Sequence, residues 1–197
     1  MPKQIYQIKM ALKGSKPNIW RRVLMPSDLP LGDVHQIIQT TMGWDNYHLH
    51  QFLKDRNYYT VRAPGETDWD IMDSIDYKKM KLKLSNLLKA EKDKMVYEYD
   101  FGDGWAHDII LEKILPVDPK IKYPVCTAGK MNCPPEDCGG IWGYANMLEI
   151  LKNPEHEEYN EYLEWLGEEF DPAFFDIAEV NELLQEKNYG CFDLSPF

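Results

Sequence analysis

The fold is decided by residues 97–107, which read YEYDFGDGWAH. Apolar and aromatic residues that favour β-strands lie on both sides, in Met95–Phe101 and Ala106–Leu115. Between them, Gly-Asp-Gly at 102–104 combines glycines, which adopt positive φ angles at low cost, with an aspartate that hydrogen-bonds its own backbone. The stretch therefore predicts two antiparallel strands joined by a tight turn.

Toward the N-terminus, the pattern predicts a second hairpin followed by a helix. Alternating apolar residues mark strands at 5–12 and 19–25, with turn-forming residues between them. The next apolar residues recur at helical spacing from Leu31 to Met42, and Gly43 stands where a helix C-cap is expected. We expect these three elements to form one hairpin–helix unit.

The remaining segments are predicted as two strands, two irregular stretches and three helices. Strands are expected at 48–53 and 58–61, a polar irregular stretch at 64–80, and an ordered surface loop in the Pro-, Gly- and Cys-rich residues 116–140. Apolar stripes at helical spacing predict three C-terminal helices, at residues 144–151, 159–166 and 177–184.

Strands first and helices last is an α+β pattern. We predict an antiparallel sheet with an N-terminal hairpin–helix unit, which allows a β-grasp-like core, and three C-terminal helices. A chain of 197 residues is long enough for one well-buried core and short for two. A single domain over residues 1–197 is therefore expected.

The net charge of −11 is concentrated at the C-terminal end. Residues 154–197 carry 13 acidic groups and one basic group, whereas the charges before them nearly balance. An acidic surface repels phosphate backbones, so nucleic acid is an unfavoured partner, and the acidic helical end suits another protein. No apolar run is long enough to cross a bilayer and no signal-peptide stretch is present, so we expect a cytoplasmic protein.

The first candidate site lies in the predicted turn. Asp100, Asp103 and His107 can project polar groups at one rim of the sheet, with Trp105 between them; the alternative is a hairpin turn with a purely structural role. The Asp-Phe-Gly letters at 100–102 match a kinase motif, but no glycine-rich phosphate loop or His-Arg-Asp loop accompanies them. A kinase is therefore excluded as an interpretation.

A second candidate is the His48-x-His50 pair. On a strand, residues two apart point to one face, so both imidazoles can reach one ion; the alternative is a half-exposed polar face.

The third candidate is the cysteine-rich loop, where Cys126, Cys133 and Cys138 can bind zinc or simply pack as small buried residues. Their spacing lacks the short Cys-x2-Cys knuckle, so a metal site is not favoured there. Glu136 and Asp137 in the same loop can instead cap or anchor the helix that follows.

Taken in order, the motifs resemble the plasmid pRiA ORF-3-like family, whose relatives include passenger proteins of insertion elements. The resemblance covers roughly residues 4–185 and implies a shared fold and a shared polar site, but no reaction. Its motifs, with the first residue of each, are PNIWRR at 17, LGDVHQIIQ at 31, MGW at 42, HLHQF at 48, YEYDFGDGWAH at 97, CPPEDCGG at 133 and GY at 143.

Three function classes follow from these features. The absence of catalytic fingerprints favours a non-enzymatic binding or adaptor protein with a polar Asp/His site. A metal-binding protein or metal-dependent hydrolase is the first alternative, and its Asp and His ligands suit Zn²⁺ or Mn²⁺. A DNA-associated accessory of mobile elements is the second, and it rests on the family context alone. We also expect the Asp100–His107 segment to lie close to His48, His50 or the 133–140 loop, because buried Asp and His side chains need partners.

Overall fold

A computed structural model of the chain describes residues 4–61, 74–167 and 170–192. Within these ranges, eight strands form one sheet in the order β5-β4-β3-β6-β7-β1-β2-β8. The strands are β1 (Gln4–Leu12), β2 (Trp20–Pro26), β3 (His50–Lys54), β4 (Asn57–Thr60), β5 (Ser74–Asp76), β6 (Lys94–Tyr99), β7 (Trp105–Pro116) and β8 (Val125–Lys130). The helices are α1 (Leu31–Met42), α2 (Leu84–Leu87), α3 (Gly140–Ile150), α4 (Tyr159–Leu166) and α5 (Ile177–Leu183), followed by a 3₁₀ helix at Lys187–Gly190.

The two predicted hairpins form the centre of the sheet. β1 pairs antiparallel with β2 and with β7, so the chain's first strand lies between segments about 15 and 100 residues away. β6 and β7 pair antiparallel across the Gly-Asp-Gly turn, as predicted. Helix α1 also has its predicted bounds, and Gly43 ends it in the left-handed conformation with its N–H donated to the Gln39 carbonyl.

One face of the sheet is buried, because alternate residues of each central strand point to it. On β1, Ile8 and Met10 are at most 1 % exposed, and Ile109 and Leu111 of β7 are fully buried on the same side. The apolar stripe of α1 packs into this core, which Tyr144 and Met147 of α3 also join. The core therefore holds the ends of β3, β6 and β7 in fixed positions.

The predicted fold class is wrong in its sheet and in its helices. The sheet is mixed, because β4 and β5 run parallel. Helices α1 and α2 precede β6, and α4 and α5 contain no buried residue, so the helices do not form one C-terminal set of three. The hairpin–helix unit exists, but its strands belong to the eight-stranded sheet rather than to a separate β-grasp-like core.

Two strands were missed by the sequence analysis. β8 lies inside the residues predicted as a loop and pairs with β2 at the sheet edge. β5 lies inside the predicted irregular stretch, of which residues 64–73 fall outside the described part of the chain. Both are short edge strands without clean alternation of buried and exposed residues, so periodicity does not reveal them. Within the described part of the chain, none of the helices has the length and apolarity to span a membrane.

Candidate functional site

Three polar segments meet where β3 begins and β6 ends. His50 and Tyr99 are paired residues of these strands, and the Asp100 N–H donates to the Leu49 carbonyl at 2.9 Å. This pairing places the loop before β3, which carries His48, beside the turn after β6, which carries Asp100. The 133–139 loop, which precedes α3, closes over both segments through the contacts that follow.

The hydroxyl of Tyr99 joins the loop before β3 to the 133–139 loop. It accepts the Tyr47 N–H at 3.0 Å and lies 3.4 Å from the His48 N–H. It donates to Glu136 Oε1 at 2.9 Å and also lies 3.1 Å from Oε2 of the same carboxylate. Oε1 accepts the Asp45 N–H as well, at 2.9 Å. Burial raises the pKa of Tyr99 above its ordinary value, with Glu136 adding to the shift, so this hydroxyl stays a donor.

Two more hydrogen bonds fix the 133–139 loop. The indole N–H of Trp44 donates to the Pro134 carbonyl at 3.0 Å, and Trp44 stacks on Tyr99 with ring centroids 5.1 Å apart. The Asp103 carboxylate accepts the Gly139 N–H at 3.1 Å. The loop is thus held at both ends, and its acidic residues face the histidine loop.

His48 lies at the centre of the resulting cluster, which we call the His48 site: His48, Asp100, Glu136 and Asp137. Its Nδ1 is 3.8 Å from Asp100 Oδ1, and its Nε2 is 3.4 Å from Glu136 Oε2 and 3.3 Å from Asp137 Oδ1. Although these carboxylates are near, none meets Nε2 in hydrogen-bond geometry, so this buried nitrogen has no hydrogen-bond partner. Nε2 therefore lies within ion-pair distance of two carboxylates without a hydrogen bond to either.

The backbone holds both aspartates of this cluster in an unusual conformation. Asp100 has φ +53° and Asp137 has φ +58°, which is the left-handed region that non-glycine residues seldom adopt. Asp100 also accepts the Gly102 N–H through its carboxylate at 2.9 Å. The Gly102 bond fixes the Asp100 carboxylate, and the carboxylate of the more exposed Asp137 lies 3.3 Å from His48 Nε2.

The electrostatics of the cluster favour a positive charge. Burial raises the pKa of Glu136, while its hydrogen bonds from the Asp45 backbone and Tyr99, together with nearby His48, partly oppose the shift. Asp100 is 9 % exposed in its side chain, whereas Asp137 is 72 % exposed. Three carboxylates therefore meet at one imidazole, open to solvent on the Asp137 side.

Two of the sequence-predicted site residues, Trp105 and His107, lie in the core instead, and a third, His50, is half-buried beside it. Trp105, His107 and Ile109 are two residues apart along β7 and share its buried face. His107 is fully buried against Trp44 and Tyr97. Because β3 begins at His50, His48 and His50 do not share a strand face. His50 turns inward, stacks on His35 with centroids 3.4 Å apart, and meets the Tyr77 hydroxyl at 2.7 Å.

The candidate cysteines do not assemble with metal ligands. Among the described residues, the potential metal-ligand groups contain no cysteine sulfur, and Cys126, Cys133 and Cys138 form no disulfide. Burial raises the pKa of all three thiols, that of Cys138 to about 12, so they stay protonated at neutral pH.

Sequence reasoning missed the residues that hold the site together, namely Trp44, Asp45 and Tyr99. Their signal was present, since Trp44 and Tyr99 belong to the quoted motifs, but apolar and aromatic residues at such spacing are usually assigned to a core. Their polar tips act here as donors and acceptors toward a distant loop.

A separate surface cavity of about 620 Å³ lies away from this site, lined in part by Gln7, Arg22 and Glu112. The Arg22 guanidinium forms two bonds to the Glu112 carboxylate, at 2.6 and 3.0 Å, and Gln7 donates to the same carboxylate at 2.7 Å. These three polar groups therefore satisfy one another.

Comparison with known proteins agrees with the motif pattern. Residues 4–179 match the family model of the plasmid pRiA4b ORF-3-like protein. The chain belongs to this family. The match confirms the resemblance found in the sequence and covers every residue of the His48 site.

Two relatives of this plasmid pRiA4b ORF-3-like chain illustrate how far the similarity extends. The uncharacterised protein y4hQ of Sinorhizobium fredii is 34 % identical over 188 residues, which cover 94 % of this chain and 93 % of that protein. The crystal structure of a protein of unknown function, MM3350 from Methanosarcina mazei Go1, superposes with a TM-score of 0.81 at 40 % identity. That superposition covers 91 % of this chain and 98 % of the other.

Proposed function

We propose that this protein binds one divalent metal ion, Zn²⁺ or Mn²⁺, at the His48 site. The observation that carries the proposal is that ligand atoms of His48, Asp100 and Asp137 all lie within 4.8 Å of one another. Atoms that share an ion at about 2.1 Å from it lie roughly 3–4 Å apart, so small side-chain rotations complete the coordination. One imidazole with carboxylates is a donor set that suits Zn²⁺ and Mn²⁺.

Charge balance supports a cation at this position. Carboxylates that converge in a partly buried place repel one another, and a divalent ion replaces that repulsion with attraction. Glu136, which is already bound by Tyr99 and the Asp45 backbone, orients the cluster from behind. Metal binding then competes with protons for the same groups, so affinity should fall as pH decreases.

The proposed site has room for further ligands. Three protein ligands leave at least one position of a tetrahedral ion for water or another molecule. The exposed side of Asp137 provides access from solvent. A metal site with an open position suits binding of an exchangeable ligand, whereas structural sites are closed by four protein ligands.

Calorimetric titration of the chelator-treated protein with Zn²⁺ and with Mn²⁺ tests the proposal. We expect one equivalent to bind to the unaltered chain. His48→Ala and Asp137→Asn should each weaken binding by more than the roughly 10–100-fold typical of changes outside the ligand set. The matched controls are His156→Ala and Asp171→Asn, which alter a half-buried and an exposed residue outside the His48 site.

Two outcomes would contradict metal binding at this site. One is the absence of a saturable transition with either ion. The other is an equal affinity in His48→Ala and His156→Ala, which would place any bound ion elsewhere.

A second candidate function is the binding of a basic protein segment to α4. The observation that favours it is that α4 contains no buried residue, carries Glu161 and Glu164, and leaves Trp165 47 % exposed. Exposed aromatic residues among acidic ones suit a basic partner. Titration with an oligolysine peptide should give salt-dependent binding that Trp165→Ala weakens; binding that is unaffected by this change would exclude α4.

A further inference from the structure

Four large apolar side chains on the segments that carry the His48 site, or on the start of α3 beside them, are not covered by the core. Tyr47 is 61 % exposed, Leu49 56 %, Phe101 52 % and Trp142 85 %. Single exposed apolar residues are common, but a group of them beside a polar site marks a binding surface. We call these four side chains the apolar rim.

Three members of the rim are neighbours of the proposed ligands in the chain. Tyr47 and Leu49 flank His48, and Phe101 follows Asp100. The Asp100 N–H bonds to the Leu49 carbonyl, so the two backbone segments that carry these residues are adjacent. These exposed side chains are therefore carried by the same backbone segments as the proposed ligands.

Trp142 joins the rim from the first turn of α3. At Gly140, a Cβ would lie 2.3 Å from the Asp103 carbonyl oxygen, so α3 begins in direct contact with the turn that carries Asp100 and Phe101. Two residues later, the indole of Trp142 is the most exposed large apolar group of the described chain.

The charge of the loaded site limits which ligands fit. A divalent ion with one neutral imidazole and two aspartates has no net charge, and Glu136 adds a negative charge nearby. Strongly anionic ligands are therefore disfavoured. An uncharged or weakly acidic oxygen donor can take an open position of the ion while an apolar body contacts the rim.

The size of the rim favours a small molecule over a second protein. Large apolar side chains such as the aromatic ones bury about 150–250 Å² each, so four of them that are half or more exposed offer roughly 400–600 Å². A stable protein interface buries about 800 Å² on each partner. The rim is thus large enough for one aromatic ring or short aliphatic chain and small for a dimer.

We propose that the ligand of the metal-loaded His48 site is an uncharged or weakly acidic oxygen donor with an aromatic or aliphatic body. Its oxygen binds the ion, and its body packs on Trp142, Phe101, Leu49 and Tyr47. The inference rests on the proposed metal binding, since the oxygen donor needs the ion.

Hydroxamates provide matched probes for this inference. Acetohydroxamate and benzohydroxamate bind metal through the same two oxygens and differ in the apolar body. With the Zn²⁺-loaded protein, we expect benzohydroxamate to bind about 10–100-fold more tightly, which is the effect of burying one ring. Trp142→Ala and Phe101→Ala should remove most of this preference and leave acetohydroxamate binding unchanged, whereas Trp165→Ala should alter neither.

The possible failures can be distinguished. Absence of Zn²⁺ binding in the preceding titration contradicts the proposed function itself. Intact Zn²⁺ binding with equal affinity for both hydroxamates contradicts the inference alone, as does a loss of preference in Trp165→Ala that equals the loss in Trp142→Ala. A wild-type dimer that Trp142→Ala converts to a monomer would show that a second copy covers the rim, and would also overturn the inference.

Discussion

Gly140 joins the turn after β6 to the start of α3 through a contact that leaves no space for a side chain. Its φ is +68°, and a Cβ there would lie 2.3 Å from the Asp103 carbonyl oxygen. Gly167 has nearly the same φ, +71°, with no atom within 4 Å of the corresponding position. The two glycines therefore separate the cost of the backbone conformation from the cost of the clash.

We predict that Gly140→Ala destabilises the protein more than Gly167→Ala. The second change should cost about 1–2 kcal/mol, the penalty of a side chain in the left-handed region. The first should cost at least about 1 kcal/mol more, because backbone atoms must move apart. Urea unfolding of both variants measures the difference, and equal losses would mean that the α3 contact contributes little.

Buried histidines give the molecule a dependence on pH. Burial lowers the pKa of His35 to about 4 and that of His107 to about 4; backbone groups of Tyr97 and Trp105 partly offset the shift at His107. Neither ring nitrogen of His107 has a hydrogen-bond partner in good geometry. Since both pKa values lie below the usual 6.5, the unfolded chain binds more protons than the folded one between pH 6.5 and 4.

We predict that the free energy of unfolding falls as pH decreases from about 6.5 to about 4. Below about pH 4, His35 and His107 should contribute no further change. Each histidine contributes on the order of 3 kcal/mol to this loss. His107→Phe keeps an aromatic ring in the core and removes one titrating group, so the stability of this variant should fall less steeply across the same range. An unchanged slope in His107→Phe would show that His107 is protonated in the folded state or does not titrate there.

Residue type alone predicted only part of the His48 site. Polar residues whose burial costs free energy identified His48, Asp100, Asp103, Glu136 and Asp137. In the structure His48 lies beside Asp100, Glu136 and Asp137, and Asp103 bonds the 133–139 loop. Residue type also selected Trp105 and His107. These two lie four and two residues before Ile109 on β7, and they share the buried face of the strand with Ile109 and Leu111. Alternation along a strand is therefore a better guide than polarity alone.

Strand β6 presents two buried tyrosines with different tasks. The Tyr99 hydroxyl connects the loop before β3 to Glu136, whereas the Tyr97 hydroxyl accepts from Gln39 and meets His35 at 2.8 Å inside the core. Changing either tyrosine to phenylalanine removes the hydrogen bonds that its buried hydroxyl makes. Only Tyr99 touches the segments of the His48 site.

We predict that Tyr99→Phe weakens Zn²⁺ binding by roughly 10–100-fold, the usual effect of removing a group that orients ligands. Tyr97→Phe should leave the affinity unchanged. Each variant should lose about 1–3 kcal/mol of stability, because buried partners stay unsatisfied. Calorimetric titration alongside urea unfolding tests the pair, and equal affinities in both variants would contradict the role of Tyr99.

The elements found by sequence are those whose pattern is local. The hairpin of β1 and β2, helix α1, and the β6–β7 pair each have apolar periodicity and turn residues within one short segment. The pairing of β1 with β7 joins residues about 100 positions apart, and nothing in either strand specifies that partner. The parallel β4–β5 pair likewise depends on the whole sheet, which is why the antiparallel prediction failed.

The whole molecule has a core that does not depend on the proposed ion. It extends from β1 and β2 through α1 to β6 and β7, and the His48 site lies at its edge. We predict that chelation leaves the far-ultraviolet circular dichroism spectrum and a cooperative thermal transition intact. Bound ion raises stability only by its binding energy, about 2.7 kcal/mol at a hundredfold excess over Kd. Loss of the cooperative transition after chelation would mean that the ion is structural.

We propose that residues 1–197 form a single domain. Asn181 of α5 exchanges hydrogen bonds of 2.7 and 2.9 Å with the Cys126 backbone of β8. Thr40 of α1 donates to the Tyr189 carbonyl at 2.8 Å. The C-terminal segment is thus bonded both to α1 and to β8. Limited proteolysis should therefore yield no stably folded fragment ending near residue 140.

The most direct test of metal binding is the position of an ion in crystals of the protein grown or soaked with Mn²⁺. An anomalous difference map identifies the ion without reference to any assumed ligand. We predict one strong peak within about 2.0–2.3 Å of a His48 ring nitrogen and of Asp100 and Asp137 carboxylate oxygens. A map without a peak at His48, or with its strongest peak at other residues, would contradict the proposed function.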